Sequence, residues 1–252
     1  MSFGTSVEQA RQNQIIPVEN AMKKSISHPL FSAYTSPTIR RILRERGTEI
    51  SDVHEALRKI ASLGIQKVAV QPTYLLYGYE YDKLKNEVQE EQKNFSAIEV
   101  GVPLISNYQD LEMIRELVNK YYPPKKQKEI ILIGHGTEHF ANMVYPALQT
   151  AFRFSGREDI WVGTIEGWPG ISEISKQVGK KGANKIELVP LMLVAGEHVH
   201  NDLIGDNPDS WKSILSHAGF SVDCTFKGLG EYPEIPQLYC KHLQTLLEKL
   251  GE

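Results

Sequence analysis

His135 in GHGTE, Glu166 in TIEGW and His198 in AGEHV are the residues of this chain whose types and placement suit metal chemistry. Each follows a run that reads as a β-strand: EIILIG before His135, DIWVGTI before Glu166, and KIELVPLMLVAG ahead of His198. In open α/β sheets ligands lie beyond the carboxyl ends of the strands, so three strand ends in one half of the chain can aim three donors at one place. Imidazole together with carboxylate suits divalent first-row metals such as cobalt, nickel, iron or zinc. A single strand-end histidine is more often a surface group than a ligand. The joint placement carries the reading.

Other constellations fit less well. His135, Glu138 and His139 spell HxxEH, the inverted zinc-peptidase motif, which needs both histidines on one helical face. Here Gly134 and Gly136 flank His135 directly after a strand, so the residue is loop-borne and a peptidase is disfavoured. His200 in GEHVHND is a second ligand, a proton carrier or an ordinary exposed side chain. The chain contains neither GxxxxGK[ST] nor GxGxxG nor GxSxG, which removes the sequence basis for nucleotide dependence and for a serine-hydrolase elbow. Tyr74, Tyr77, Tyr79, Tyr81 and Trp168 cluster near strand ends, where they either line a pocket for a large planar ligand or pack the core. His28, His54, His217 and His242 read as structural or exposed.

These candidates need a scaffold of parallel strands, and the rest of the chain supplies its pattern. KVAVQPTYLL, AIEVGVPLI, EIILIG, DIWVGTI, KIELVPLMLV and SVDCTF read as strands separated by amphipathic helical stretches. Several are apolar throughout, as expected when helices cover both faces of a parallel sheet. With 252 residues, 41% hydrophobic and 23% charged, the composition is that of an ordinary globular protein large enough for two domains. No apolar run approaches the ~20 residues that span a bilayer, and MSFGTSVEQARQNQ lacks the features of an export signal. The expectation is a cytoplasmic protein without membrane insertion. Cys224 and Cys240 lack CxxC spacing and read as unpaired structural thiols. A net charge of −3 gives no global attraction to nucleic acid, so any acidic ligand must be bound locally. Homo-oligomerisation is left open.

The chain also contains a degenerate duplication. LGIQKVAVQPTYLLYGYEY at 63–81 aligns without gaps on KGANKIELVPLMLVAGEHV at 181–199, matching Gly64 to Gly182, Lys67 to Lys185, Pro72 to Pro190 and Gly78 to Gly196. SFGTS at 2–6 matches GHGTE at 134–138, and LFSAYTSP at 30–37 sits over WVGTIEGW at 161–168. The metal candidates thus fall on Phe3, Thr35 and Glu80 in the first copy, and Glu80 is a carboxylate able to face the same cleft from the opposite domain. YYPPKKQKE at 121–129 reads as the linker, giving domains at 1–124 and 125–252, with the C-terminal helix free to pack on the first. The second copy has a strand before GHGT, whereas SFGTS begins at residue 2. Either the first domain lacks its opening strand or the natural reading frame opens upstream of Met1. The second is favoured, because losing a central parallel strand strips its neighbours of hydrogen-bond partners.

GHGTEHFANMVYPALQ, GTIEGWP, PLMLVAGEHVHND, DSWKSIL and GLGEYPEI, together with SFGTS, FSAYTS and GYEYDK, closely resemble the anaerobic cobaltochelatases, the sirohydrochlorin cobaltochelatase family of class II chelatases. The resemblance covers nearly the whole chain. It implies two similar α/β domains, each a parallel sheet flanked by helices in a flavodoxin-like or Rossmann-like manner, facing across a tetrapyrrole cleft. It further implies ATP-independent insertion of Co2+ into sirohydrochlorin on the route to cobalamin, with Fe2+ or Ni2+ insertion into the same tetrapyrrole as the rival reaction. The family's metal ligands fall on His135, Glu166 and His198, an acidic cleft position falls on Glu80, and His135, His198 and Glu80 are the expected catalytic groups. Family members commonly read AGDHAxND, so Glu197, Val199 and His200 depart from the pattern beside the site. Helix N-termini and basic side chains, Arg40 and Arg41 among the candidates, are expected to hold the tetrapyrrole carboxylates.

Overall fold

The computed structural model describes residues 1–180, 182–196, 202, 203, 205 and 207–251. Each of the six runs read as strands contains one: β1 (Lys67–Val70), β2 (Ala97–Val100), β3 (Lys128–Gly134), β4 (Ile160–Thr164), β5 (Lys185–Pro190) and β6 (Ser221–Cys224). All pair in parallel. Around them run helices α1 (Ile16–Ser25), α2 (Pro37–Glu45), α3 (Val53–Ser62), α4 (Tyr79–Glu91), α5 (Tyr108–Tyr121), α6 (Val144–Phe154), α7 (Ile171–Ile174), α8 (Trp211–His217) and α9 (Glu234–Lys249). This is the expected α/β class, with parallel sheets flanked by helices. Among the described residues no helix is long and apolar enough to cross a membrane.

The chain forms two compact units, one of Met1–Ser106 with Gly230–Glu252 and one of Asn107–Leu229. This division differs from the sequence boundary at residue 124, because α5 belongs to the second unit and the paired prolines lie inside it. The reason is a buried arginine. Arg157 is 7% exposed, and its guanidinium donates to Asn119 Oδ1 at 2.6 Å, to the Tyr122 carbonyl at 2.8 Å and to both Asp159 carboxylate oxygens at 2.8 and 2.9 Å. Those bonds tie the end of α5 to the segment leading into β4.

In the first unit β1 pairs with β2, and isolated parallel bridges join Ser2 to Tyr34 and Ala33 to Ser51. Helix α3 starts where Asp52 and Glu55 form a capping box: Asp52 Oδ1 accepts from the Glu55 amide at 2.8 Å and Glu55 Oε2 from the Asp52 amide at 2.9 Å. Val53, Leu57 and Ile60 of that helix then pack with Val68 and Val70 of β1 and with Tyr74, Tyr81, Leu84 and Val88. The C-terminal helix α9 packs against α1 and β1. Its buried Ile235, Leu238, Tyr239, His242, Leu243 and Leu246 recur at helical spacing, and the Tyr239 hydroxyl donates to the Tyr74 carbonyl at 3.2 Å.

In the second unit the strand order is β4-β3-β5-β6. β3 is paired on both edges, which explains why every residue from Glu129 to Gly134 is buried. Ile131, Ile133, Ile186 and Leu188 form the core with Ile174, Trp211 and Leu215 from the covering helices. Cys224 and Cys240 are both free thiols, and burial pushes Cys224 up to about 11.

Replacing Arg157 leaves the Tyr122 carbonyl and the Asp159 carboxylate without their charged partner. Arg157→Met is expected to lose about 2 to 4 kcal/mol, measured as a lower urea midpoint for unfolding of the second unit.

Candidate metal centre at the strand ends of the second unit

The main-chain ladder continues past the end of the sheet and places two of the three predicted donors. The Ile165 amide donates to the Gly134 carbonyl at 3.1 Å, and the Glu166 amide to the His135 carbonyl at 2.8 Å. His135 and Glu166 are therefore adjacent across β3 and β4 although 31 positions separate them. Their side chains meet as well, with His135 Nδ1 3.5 Å from Glu166 Oε2, and both are more than half exposed.

His135 Nδ1 also lies 3.2 Å from the Gly136 carbonyl, which can only accept. With the proton on Nδ1, that contact is a hydrogen bond and Nε2 keeps its lone pair for a cation. With the proton on Nε2, Nδ1 and the carboxylate face one another. Two donors each about 2.1 Å from an ion at a tetrahedral angle stand about 3.4 Å apart, close to the observed spacing. Either tautomer offers a nitrogen beside a carboxylate oxygen.

The loop that holds His135 is built by close approach. Gly136 has φ of +83°, and a Cβ there would lie 2.5 Å from the Gly167 amide nitrogen and 2.7 Å from Thr164 Cβ. A Cβ on Gly134 would overlap the Tyr145 ring. The Tyr145 hydroxyl accepts from the Gly136 amide at 3.4 Å, and burial pushes that phenol up to about 12, so it stays neutral. Asn142 joins the two ligand loops: its Oδ1 accepts from the Thr137 amide at 3.1 Å, and its Nδ2 donates to the Trp168 carbonyl at 2.6 Å. On the far side of Glu166, the Thr164 amide and hydroxyl both donate to the Pro169 carbonyl, at 2.8 and 3.2 Å. Asn142, Tyr145 and Thr164 escaped the sequence reading because neutral side chains that bind backbone have no distinctive spacing. The Asn within GHGTEHFAN was the only available signal.

His139 has a different task. Its Nδ1 accepts from the Ala141 amide at 3.1 Å, capping the short 3-10 helix Phe140–Met143. His135 precedes that helix in irregular chain. HxxEH thus does not occupy one helix face, in line with its rejection as a peptidase motif.

His198 lies outside the described residues, as do Glu197, Val199 and His200. Among the described residues no group of three His, Cys, Asp or Glu is placed to hold an ion. Glu80 sits in the first turn of α4, following N-cap Gly78. In its own unit it is the end of a short polar chain: the Tyr74 hydroxyl donates to Thr35 Oγ1 at 3.1 Å, and Thr35 Oγ1 lies 3.5 Å from Glu80 Oε2. Burial pushes the Tyr74 phenol upward, the Thr35 bond opposing. Tyr74 and Tyr81 are core residues, Tyr81 stacking edge-on with Tyr77 at 4.8 Å, while Tyr79 and Trp168 are exposed. Arg40 and Arg41 are engaged by carboxylates of their own unit, Arg40 with Asp52 at 3.3 Å and Arg41 with Glu45 at 2.9 Å.

Hydrogen-bond register also refines the repeat. The Thr35 amide donates to Ser2 and the Ser36 amide to Phe3, as the Ile165 amide does to Gly134 and the Glu166 amide to His135. Ser36, not Thr35, therefore occupies the backbone position of Glu166. The ungapped alignment over LFSAYTSP was one residue out, because the two segments offer no identities to fix the register.

Adjacent imidazole and carboxylate at the carboxyl ends of parallel strands, 3.5 Å apart in an α/β protein, are donors of the types that suit a divalent metal. A family model described as Cobalt chelatase (CbiK) matches residues 1–248, and the chain belongs to that family. It is 36% identical over 258 residues to the sirohydrochlorin cobaltochelatase of Salmonella typhimurium, covering 100% of this chain and 96% of the relative. It is 28% identical over 257 residues to sirohydrochlorin cobaltochelatase CbiKC of Nitratidesulfovibrio vulgaris, covering 100% of this chain and 90% of that one. Among solved structures, SirB from Bacillus subtilis with Fe3+ shares the fold at a TM-score of 0.70 and 14% identity, over 100% of this chain and 95% of that one.

Gly136→Ala forces a side chain into a left-handed backbone with no room for it. A loss of about 1 to 3 kcal/mol is expected, read by urea unfolding, together with shifted amide resonances of His135 and Glu166. Asn142→Ala is expected to move those same resonances while costing less stability.

Proposed function

We propose that this protein inserts Co2+ into sirohydrochlorin without ATP, the reaction of anaerobic cobalamin biosynthesis, acting as a cytoplasmic enzyme on a small-molecule tetrapyrrole. The observation that carries the proposal is the His135–Glu166 pair at 3.5 Å, in a chain that belongs to the cobalt chelatase family over residues 1–248. The relatives' names give the substrate and the metal.

Metallation exchanges two pyrrole N–H protons for a cation, so the protein must hold an ion without trapping it and must accept protons. His135 and Glu166, with His198 as the proposed third donor, suit the first task. His135 and Glu166, exposed on two loops joined through their backbones, leave room in the ion's coordination sphere for water, which the pyrrole nitrogens replace one by one. An imidazole that releases the metal is then a base beside the macrocycle, and His135 and His198 are proposed for that role. Glu80 is proposed to assist proton removal or guide the hydrated ion. Its support is its place after β1, the repeat position that His198 takes after β5, and its position beyond Tyr74 and Thr35.

Ferrochelation and nickel chelation of the same substrate form the second reading, since imidazole and carboxylate accept all three ions. A carrier that binds metal or tetrapyrrole without turnover is the reading from another class. Anaerobic incubation of the pure protein with sirohydrochlorin and Co2+, Fe2+ or Ni2+, followed by absorption, separates them. The fastest enzyme-dependent rate is expected with Co2+. A rate no faster than the spontaneous reaction with every metal refutes an enzyme.

In the same assay His135→Ala, His198→Ala and Glu166→Gln are each expected to lose more than about tenfold in rate, since changes even behind a metal's ligands cost 10 to 100-fold. Glu80→Gln is expected to lower kcat about 100-fold with little change in metal affinity, as befits an acid–base group. Unchanged rates in the histidine variants refute the ligand assignment.

A further inference from the structure

The two copies of the repeat differ behind the site as well as at it. In the ungapped repeat Tyr74 takes the position of Met192 and Glu80 that of His198. By hydrogen-bond register Thr35 takes the position of Ile165, since its amide donates to Ser2 at 2.9 Å as the Ile165 amide does to Gly134 at 3.1 Å. Ile165 and Met192 are apolar and pack against the core of their unit. The first unit has two hydroxyls in those places, and both residues are buried, Thr35 being 5% and Tyr74 8% exposed. A buried hydroxyl costs free energy unless it is hydrogen-bonded, so packing alone does not favour the exchange. The hydroxyl pair stands in the copy that has a carboxylate at residue 80.

The direction of the chain follows from its last member. An ionised carboxylate only accepts, so the Thr35 hydroxyl gives its one proton toward Glu80 Oε2, 3.5 Å away, and takes the Tyr74 proton on a lone pair at 3.1 Å. Burial pushes the Tyr74 phenol up, with the Thr35 bond opposing and the Glu80 and Glu87 carboxylates adding to the rise, so the phenol stays a donor. Both hydroxyls ride on pinned backbone. The Thr35 amide is bonded to Ser2, and the Tyr74 carbonyl accepts from the Leu104 amide at 2.8 Å and from the Tyr239 hydroxyl at 3.2 Å. Glu80 is half-buried in the first turn of α4. A glutamate side chain is rich in rotamers, and anchoring one of its oxygens removes much of that freedom.

We propose that Thr35 and Tyr74 are positioning residues for the chelation step, their hydroxyl chain holding Glu80 by Oε2 and leaving Oε1 for the reacting proton or ion. The inference rests on the chelatase reading and on the part given there to Glu80. When Glu80 acts as base, the pyrrole N–H proton passes to Oε1 and the electron pair of that bond stays on nitrogen for the cation. Oε2 keeps its bond to Thr35 throughout. The two hydroxyls act only through Glu80.

The test measures kcat and KM for sirohydrochlorin and Co2+, anaerobically, in Thr35→Val, Thr35→Ser and Tyr74→Phe, each with Glu80 intact and with Glu80→Ala. Thr35→Val keeps the side-chain shape and removes the hydroxyl. It is expected to lower kcat at least about tenfold with both KM values within about twofold of the parent. Thr35→Ser is expected to recover kcat to within about twofold, and Tyr74→Phe to lose about threefold. In the Glu80→Ala background each change is expected to fall below about twofold, because no carboxylate is left to position. Equal losses in the two backgrounds, a Thr35→Ser enzyme as slow as Thr35→Val, or full kcat in Thr35→Val each overturns the proposal. If Thr35→Val does not fold, Tyr74→Phe carries the same comparison. A second readout needs no turnover: the methylene proton couplings of Glu80 are expected to show one rotamer in the parent and averaging in Thr35→Val. If the parent inserts metal no faster than the spontaneous reaction, the chelatase reading falls and these couplings alone decide the anchoring. Averaged couplings in the parent overturn it.

Discussion

The arrangement of the second unit depends on one constraint: β3 is hydrogen-bonded in parallel on both edges. A parallel ladder fixes which residues leave the sheet together, and here it continues beyond the strands through the Gly134 and His135 carbonyls. The proximity of an imidazole and a carboxylate from different strands follows from that register. Burial of the apolar β3 among α7, α8 and their neighbours drives the sheet together, and the backbone bonds convert that non-directional force into a defined geometry at the edge.

The site differs in this from centres held by interlocking side chains. His135 is positioned by Gly136, which alone tolerates the left-handed backbone and the contact with Gly167, and by Asn142, which joins its loop to that of Glu166. The donors themselves are more than half exposed. For a protein whose metal is proposed to be a substrate this division is chemically apt, since a rigid loop with an open coordination sphere can take up an ion and part with it.

Much of this was legible in the sequence, for identifiable reasons. All six strands were signalled by short runs rich in β-branched residues, most plainly β3 and β4, because a strand buried on both faces admits little polarity. His135 and Glu166 could be paired because each follows such a run. The unit boundary was less legible: paired prolines at 123 and 124 suggested a linker, but the bond from Arg157 to the Tyr122 carbonyl holds that segment within the second unit. Likewise Ser36, rather than Thr35, matches Glu166, a distinction visible only in hydrogen-bond register. The expected basic partners Arg40 and Arg41 proved to be engaged by Asp52 and Glu45, since identity alone does not reveal which carboxylate a helix brings near.

The backbone hydrogen bonds between the His135 and Glu166 loops have an evolutionary consequence. Because amides and carbonyls set the separation of the two Cα positions, the identity of either side chain can drift while the frame persists. Phe3 and Ser36 keep the same pair of backbone bonds in the first unit with none of the donors. The duplicated frame is thus a socket into which different side chains can be placed by point substitution, with no refolding of its support.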